Sequence, residues 1–588
     1  MTRTPQSYNR FLLLVAGLGG LLYGVDVGII TGALPYMEAT SGLTANQLSF
    51  VVAAVLLGSV VSTLFAGLLA DWLGRRKLMI LSGLFFVASI PLIALSQSFA
   101  MLVAGRLLQG ISGGVVGVVI PLYLAECLGA KSRGKGTGAF QWMLVLGFVV
   151  TSLIALYFSH RNEAIEKLGD LAAVLAFKDR AWRSIFWSSL PPGILFVVGG
   201  LMVSESPRWL FARGRVEAAR AALLRSRDAA EAEVELSEMA TIAAAGKTAG
   251  ARAGDSLLSR KYVIPFVLAC VILACNQATG VNSIIGYNAN IFIQGGLSDI
   301  QAHYGNLLFT LVNFLMTMVA VILVDRKGRR FLLSVGTAGI IVSLVAVGLL
   351  FRRTESRRID AHTAVQALVT ADQSARIVFD AGQAARLLSA SGNAVTGAPD
   401  QPLTLSVIYS YGRFRAATTV VRSDDRAARP VEITRASLPD SKVSAFFSNP
   451  LGDLEAARRA PLVIENAIIT PVPDTQNGWL TAVFTFCFMA FFAIGPGVCV
   501  WLALSELMPT RIRSNGMSIA LTLNQIVSTT IAAVFLPTVG RYGYSTMFFG
   551  FAACTVVYFV TATFFLPETK GKTLEEIEAI FSQRKRGA

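Results

Sequence analysis

Residues 67–77 read GLLADWLGRRK, and a shorter copy, VDRKGRR, occupies residues 324–330. Each copy follows an apolar stretch and places an aspartate four residues before an arginine. These pairs are Asp71 with Arg75 and Asp325 with Arg329. A motif that recurs at fixed internal spacing is the signature of structural repeats. The stretch therefore predicts a protein built from two related halves.

Two further pairs of segments repeat in the same order. AECLGAKSRG at 125–134 corresponds to SELMPTRIRSNG at 505–516, and in both a glutamate precedes an arginine by seven residues. SESPRWL at 204–210 corresponds to LPETKGKTL at 566–574. The repeat thus extends over most of the chain.

The repeat also locates an insertion. Asp71 and Glu126 are 55 residues apart, but the corresponding residues of the second half, Asp325 and Glu506, are 181 apart, which leaves 126 extra residues. We assign them to residues 352–478. Segments such as TLSVIYSYG (404–412) alternate like strands between turn formers, so a small β-containing domain is expected there. It carries no catalytic signature, and we expect a structural or protective role rather than catalysis.

The composition is that of a membrane protein. The 588 residues are 54% apolar and 15% charged, with a mean hydropathy of +0.60, too apolar for a soluble protein of several domains. Apolar stretches of about 20 residues can cross a bilayer. They lie at 11–33, 48–70, 78–98, 101–124, 137–158 and 185–203, and then at 260–282, 305–324, 331–351, 479–502, 515–537 and 544–566.

The expected fold is an all-α membrane protein with twelve transmembrane helices in two six-helix bundles. We place the first bundle at 1–203, a cytoplasmic helical linker at 204–259, and the second bundle with its cytoplasmic tail at 260–351 and 479–588. The linker is expected to be helical because 211–255 is amphipathic and rich in helix formers.

The net charge of +15 follows the topology rather than a nucleic-acid partner. The basic residues concentrate in loops on one side: Arg75, Arg76, Lys77, Lys131, Arg133, Lys135, Arg326, Lys327, Arg329, Arg330, Arg511 and Arg513. The opposite loops 34–47, 95–100 and 293–304 contain no Lys or Arg. The positive-inside rule then places both termini in the cytoplasm and the insertion outside, in a multi-pass protein of the cell inner (plasma) membrane.

Asp26 lies inside the first apolar stretch, GGLLYGVDVGIITGAL (19–34), where a charge is costly and marks an ion or proton pathway. Arg106 is the leading partner, because its fixed positive charge would keep Asp26 ionised until a proton or substrate intervened. A permanent structural salt bridge is the alternative. The glycines at 20, 24, 28 and 32 recur on one face and permit close helix packing.

A second set of polar residues lies in the predicted spans and could bind hydroxyl groups. Amides both donate and accept hydrogen bonds, and an aromatic ring can pack on the C–H face of a sugar. The set comprises Gln141, Asn276, Gln277, Asn282, Asn313, Trp501, Asn524 and Gln525. Any one alone could be an interhelical hydrogen bond, but their clustering in the second half favours a binding site.

Charged residues at the helix ends form a third set, which could lock one conformer of a transporter as a cytoplasmic gate. Topology anchoring alone accounts for some of the arginines. The set comprises Asp71, Arg75, Glu126, Arg133, Glu205, Arg208, Asp325, Arg329, Glu506, Arg513 and Glu568.

No metal or cofactor is expected. The six cysteines lack metal-ligand spacing. His160, His303 and His362 lie in or next to predicted outer loops, so we expect no buried histidine relay.

These motifs together resemble the sugar porter family of the major facilitator superfamily, across the whole chain except the insertion. The matching stretches are DWLGRRK (71–77), GRLLQGISGG (105–114), PLYLAE (121–126), SESPRWL (204–210), NQATGVN (276–282), DRKGRR (325–330), GPGVCVWLALSE (495–506) and PETKG (567–571). The resemblance implies two six-helix bundles, a central monosaccharide site and alternating access.

The resemblance also implies roles for single residues. Asp26 and Arg106 match the aspartate and arginine of proton-coupled members, which favours symport. Six residues fall on sugar-contacting positions: Gln141, Gln277, Asn282, Asn313, Trp501 and Asn524. Four depart from the usual pattern: Asn276 and Phe148 stand at glutamine positions, Gly286 at a tyrosine position and Gln525 at a tryptophan position. Because aromatic surface is lost at two of these positions, both a monosaccharide and a polyol remain candidates for the substrate.

We therefore expect a secondary active transporter rather than an enzyme, working as a monomer in the bilayer on a sugar or polyol together with protons. A facilitative uniporter is the first alternative. A transporter-like sugar sensor and a membrane enzyme that uses the insertion are less favoured.

Overall fold

The computed structural model describes residues 5–128, 130–249, 260–392, 402–425, 430–438, 453–500, 507–508, 513–569 and 581. Within these residues, twelve helical segments are long and apolar enough to cross a membrane. This confirms the expected all-α membrane architecture. Two predicted site residues, Trp501 and Glu506, lie outside the described residues, as do the side chains of Arg133, Asp325 and Arg513.

The helices of the first half are α1 (Pro5–Thr40), α2 (Ala45–Leu73), α3 (Arg75–Ala94), α4 (Phe99–Cys127), α5 (Ala130–Glu166), α6 (Leu171–Trp187) and α7 (Leu190–Met202). A helical linker follows, with α8 (Pro207–Ala212), α9 (Val216–Ser226) and α10 (Ala229–Ala249). The second half begins with α11 (Arg260–Ala278), α12 (Val281–Gly286), α13 (Asn288–Gln294), α14 (Asp299–Lys327) and α15 (Arg329–Glu355). After the insertion it continues with α19 (Thr475–Phe492), α20 (Arg513–Tyr542) and α21 (Tyr544–Val560).

The insertion between α15 and α19 contains both strands and short helices. Its helices are α16 (His362–Gln366), α17 (Ala381–Ala390) and α18 (Leu454–Arg459). Its strands are β1 (Ile359–Asp360), β2 (Ala375–Ile377), β3 (Leu403–Tyr411), β4 (Phe414–Ala417), β5 (Val421–Arg422), β6 (Val431–Ile433) and β7 (Leu462–Pro471). An antiparallel sheet has the order β1-β7-β3-β4 with β5 also on β3, and β2 pairs with β6. The expected strand-containing insertion is confirmed.

Glycines allow close contact in the first half between α1 and α5. A methyl group on Gly20 would collide with the carbonyl of Phe140, and one on Gly24 with the carbonyl of Leu144. Only a residue without a side chain lets the two backbones approach this closely. The glycine face predicted for the first span therefore packs on α5.

The sixth span begins earlier than the sequence predicts. Its apolar stretch starts near 185, but the helical span runs from Leu171 to Met202, with a break between α6 and α7. Because its first turns contain charged residues, hydropathy did not predict this part of the helix. Lys178, for example, is buried and pairs with Glu166 of α5 at 3.2 Å. The helix thus extends beyond the apolar stretch as an amphipathic segment.

The two halves share an apolar core at only one end of the described helices. We call the end next to the insertion the insertion end, and the opposite end, with Arg75 and Arg329, the motif end. The largest transmembrane cluster combines α1 residues such as Ile29 and Met37 with second-half residues such as Ile284 and Phe292. At the motif end, each half of the described chain packs a cluster of its own. The halves are therefore joined at the insertion end.

Candidate functional site

Asp26 is buried in the first half without a hydrogen-bond donor. It lies midway along α1, its residue is 1% exposed, and neither carboxylate oxygen has a hydrogen-bond partner among the described residues. A methyl group on Gly113 of α4 would lie 2.7 Å from Oδ2 of Asp26 and 3.3 Å from the ring of Tyr23. A buried carboxylate without donors is costly when ionised, so this site favours the protonated, neutral form of the carboxyl.

Arg106 supplies a buried positive charge nearby but does not bind Asp26 directly. It is 1% exposed on α4, and its Nη1 donates to Oε1 of Gln109 at 2.6 Å. Its guanidinium carbon lies 5.6 Å from the ring centroid of Phe186. The salt bridge considered from the sequence is thus absent between these described side chains. Arg106 can act on Asp26 only through space.

Four side chains form a hydrogen-bonded amide network in the second half. Asn282 of α12 donates through Nδ2 to Oε1 of Gln277 at 2.9 Å and to Oγ of Ser528 at 2.7 Å. Gln277 of α11 donates through Nε2 to Oδ1 of Asn524 at 3.1 Å. Asn524, on α20, donates to the carbonyl of Leu273 at 3.1 Å. The structure thus joins three predicted residues from separate helices.

A break between α11 and α12 creates this network. Gly280 separates the two helices with φ of +80°, in the left-handed region where residues with side chains are disfavoured. A side chain there would also collide with the ring of Phe551. The break lets Gln277 and Asn282 face each other across the interruption. Discontinuous helices mark substrate sites in many transporters.

The other predicted polar residues lie apart from the network. Gln141 is partly exposed on α5, and Asn313 is buried on α14, where its Oδ1 accepts from Oγ1 of Thr317 at 3.4 Å. Asn276 is 3% exposed and its Oδ1 has no partner among the described residues. Gln525 of α20 interacts with Tyr23 of α1. Through Tyr23, the neighbourhood of Asp26 reaches α20 at Gln525, the residue that follows Asn524 in the chain.

Sequence reasoning missed two sets of polar residues. Ser528 stands one helical turn after Asn524, so helical spacing could have found it. A second network crosses between the halves: Asn288 donates to Asn306 at 2.9 Å, and Asn306 donates to Ser152 of α5 at 2.9 Å. Single serines and asparagines in apolar helices give no sequence signal for such a contact.

The charged residues at the motif end hold the first half together. Arg75 donates to both carboxylate oxygens of Glu126, at 2.9 and 3.0 Å, and pairs with Asp71 at 2.9 Å. Ser206 donates to Glu126 at 2.5 Å. Arg208 lies 4.0 Å from Glu235 of α10, and so faces the linker.

The repeated glutamates cap equivalent helices in the two halves. Glu205 accepts from the backbone N–H of Arg76 at 3.0 Å, near the start of α3. Glu568 accepts from the backbone N–H groups of Arg329 and Arg330, both at 3.1 Å, at the start of α15. Carboxylates are stabilising at helix N-termini, where backbone donors are unsatisfied. The segments that repeat in the sequence therefore also make equivalent contacts in the two halves.

His303 differs from its expected place in or next to an outer loop. It lies in α14, and its side chain is 0% exposed, 3.6 Å from Asp299. The helix begins at Asp299, where Ser298 and Gln301 form a capping box, six residues before the predicted span. The capping box starts the helix at a polar turn that includes His303, and the His303 side chain is buried there. Among the described residues, no group of three or more His, Cys, Asp or Glu side chains could hold a metal.

The chain matches the sequence family described as "Sugar (and other) transporter" over residues 12–371 and 462–581. It is 31% identical to the Glucose transporter GlcP of Staphylococcus epidermidis, over 58% of this chain and 72% of that protein. It is 26% identical to the Proton myo-inositol cotransporter of Homo sapiens, over 99% of this chain and 83% of that protein. Its fold matches the partially occluded inward open structure of the xylose transporter XylE from E. coli, with a TM-score of 0.63, 20% identity and coverage of 96% and 100% of the two chains.

Proposed function

The chain belongs to the Sugar (and other) transporter family, and from this premise we propose that it carries a monosaccharide or polyol across the membrane together with a proton. The family and the fold are those of transporters rather than enzymes.

Proton coupling is assigned to Asp26. The observation that carries it is the burial of this carboxyl with no hydrogen-bond donor on either oxygen. Protonation removes the cost of a buried charge, while the through-space field of Arg106 favours release of the proton. A carboxyl subject to these two opposing effects can alternate between its protonated and ionised forms as the surrounding helices move.

Substrate binding is assigned to the amide network and its neighbours. Gln277 and Asn282 are partly exposed, whereas Asn524 is 1% exposed and accepts a hydrogen bond from Gln277. Sugar hydroxyls both donate and accept, so they can replace hydrogen bonds within this network. Tyr23 links the assigned site to the region of Asp26 through Gln525. Gln141, Asn276, Asn313 and Trp501 remain proposed contacts.

The direction of transport rests on charge. Basic loops concentrate at the motif end, so we assign that end to the cytoplasm and the insertion end to the outside. The joined insertion end then corresponds to an inward-facing state. We assign the charged residues of the motif end to a gate that strengthens when the halves close there.

Uphill uptake into proteoliposomes tests the coupling. The substrate is first chosen by a thermal-shift screen with glucose, galactose, xylose and myo-inositol, because a bound ligand stabilises the folded protein. With an imposed pH gradient, acid outside, the wild type is expected to concentrate that sugar above its external level. Asp26→Asn is expected to equilibrate the sugar without concentrating it.

Exchange of labelled for unlabelled sugar is the control, because it requires binding and helix movement but no net proton transfer. Asp26→Asn is expected to retain exchange. If this variant still accumulates sugar under the pH gradient, coupling through Asp26 is wrong. If the wild type only equilibrates sugar, the protein is a facilitative uniporter.

A further inference from the structure

The insertion is attached firmly to the second half. Both ends of its chain continue into second-half helices, α15 and α19. Ile408 of β3 and Ala417 of β4 form a small apolar cluster with Leu536 of α20. A methyl group on Gly540 of α20 would lie 3.4 Å from Cβ of Ala417, in ordinary contact. The insertion is therefore expected to move with the second half.

The insertion also reaches the first half, through a weaker contact. Asn46, at the start of α2, donates through Nδ2 to the backbone carbonyl of Arg415 in β4 at 3.3 Å, and this hydrogen bond is exposed. Next to it, a cavity of about 870 Å³ is lined by Glu38 of α1, Lys178 of α6 and Arg422 of the insertion. The insertion thus contacts both halves and contributes to the lining of this cavity.

The contact with α2 lies where the halves must separate. At the insertion end, Asn290 of α13 donates to Glu38 of α1 at 2.7 Å, and Ser159 of α5 donates to Asp299 of α14 at 2.7 Å. Alternating access requires these contacts to open. An insertion that moves with the second half must then lose its hydrogen bond to Asn46.

We propose that the insertion is a strap that stabilises the conformation closed at the insertion end, through its contact between β4 and α2. A contact made in only one of two conformations shifts their equilibrium towards that conformation. The inference rests on the proposed function insofar as that function requires alternating access. The family match omits residues 372–461, so this strap is a feature of the inserted chain and not of the matched transporter core.

Two engineered disulfides test the strap in the full-length protein. Asn46→Cys with Arg415→Cys joins the insertion to the first half and is expected to lower sugar exchange in proteoliposomes at least tenfold when oxidised, with recovery on reduction. Ala417→Cys with Gly540→Cys joins the insertion to the second half, at a distance suited to a disulfide. This matched pair is expected to leave exchange unchanged.

Each result has one meaning. Exchange that continues with the 46–415 disulfide formed would overturn the strap. Loss of exchange in the oxidised 417–540 pair would overturn the claim that the insertion moves with the second half. Single-cysteine variants control for pairing with the six natural cysteines. Sugar exchange by the reduced proteins tests the proposed function separately.

Removal of the insertion gives a second test. Asp360 of β1 and Ile468 of β7 are paired in the sheet, so an Asn-Gly turn can join them in place of residues 361–467. The shortened protein is expected to transport sugar and to show a larger population with separated insertion ends, measured by spin-label distances between α2 and α14. An unchanged distance distribution would contradict the strap.

Discussion

In the proposed function, single polar residues in the apolar helices determine both substrate binding and proton coupling. Asp26 lacks hydrogen-bond donors, whereas Asn282 makes two hydrogen bonds to residues of two other helices. The first arrangement leaves a charge free to be neutralised by a proton. The second holds polar groups in place for a hydroxyl-rich ligand. The two residues therefore require different tests.

Asn282→Ala is expected to weaken sugar binding about tenfold. It removes a donor that connects Gln277 to Ser528, and a net hydrogen bond contributes about 0.5–1.5 kcal/mol, where about 1.4 kcal/mol is a tenfold change. The dissociation constant is measured by titration of purified protein with the sugar chosen by thermal shift. The control is Thr530→Ala, since Thr530 is exposed and, within the described part of the chain, its Oγ1 donates only to Ile526 of the same helix. Equal affinities for the two variants would contradict the assigned site.

For single residues, the sequence indicated which side chains belong to the candidate site, but it did not predict all of their contacts. Asp26, Gln277, Asn282 and Asn524 were selected from the sequence, and the structure places the three amides in one network. The Asp26–Arg106 salt bridge is absent: Nη1 of Arg106 donates to Gln109, one turn along the same helix, and Nε of Arg106 has no partner among the described residues. Which acceptor a buried arginine uses cannot be derived from residue types alone.

Among the helices, the interruption at Gly280 matters most for the site. Gly280→Ala is expected to destabilise the protein, because a left-handed conformation costs an L-residue about 1–2 kcal/mol and the added methyl collides with Phe551. The same change should weaken sugar binding, since Gln277 and Asn282 lie on either side of the break. Thermal unfolding with and without sugar measures both effects.

Gly550→Ala is the matched control for that variant. Gly550 lies on α21, close in sequence to Phe551, and a methyl group there would meet nothing within 4 Å. This control should unfold at or above the wild-type temperature, because alanine favours helix over glycine. If Gly280→Ala behaved like Gly550→Ala, the break would not require glycine.

Hydropathy predicted that the membrane-spanning helices exist. It did not predict where they begin, end or are interrupted. The spans predicted from apolar stretches correspond to the twelve helical segments of the structure. The early start of α6 was missed because Lys178 lies in a stretch that hydropathy alone excludes from the membrane. The break at Gly280 was missed because a glycine within an apolar run is equally compatible with a continuous helix.

At the scale of the molecule, polar contacts across the insertion end add to the apolar core that joins the two halves there. Asp299→Ala removes the carboxylate that accepts from Ser159 at 2.7 Å and from Tyr36 at 3.4 Å. A hydrogen bond to a charged group contributes about 1.5–3 kcal/mol, so the population open at this end should rise about tenfold or more. Spin-label distances between the insertion ends of α5 and α14 measure it.

Asp372→Ala is the control for this change. Asp372 lies on the insertion, where it accepts from Ser374 at 3.0 Å, and it makes no described contact with the first half. The control should keep the wild-type distance distribution. If Asp299→Ala also kept it, Asp299 would not contribute to closure.

The sequence predicted the two halves and the size of the insertion, because repeats and their separations can be counted directly. It did not predict which end is closed or where the insertion docks. Both depend on contacts between segments far apart in the chain, such as Asn46 with Arg415. No single motif carries that information.

A direct test of proton coupling through Asp26 is to measure proton movement driven by sugar. Proteoliposomes with a pH-sensitive dye inside, and no imposed gradient, receive the chosen sugar on the outside. Wild-type protein is expected to acidify the interior as sugar enters, and Asp26→Asn is expected to let sugar enter to equilibrium with no acidification. Sugar entry through wild-type protein without acidification, or equal acidification by Asp26→Asn, would contradict the account.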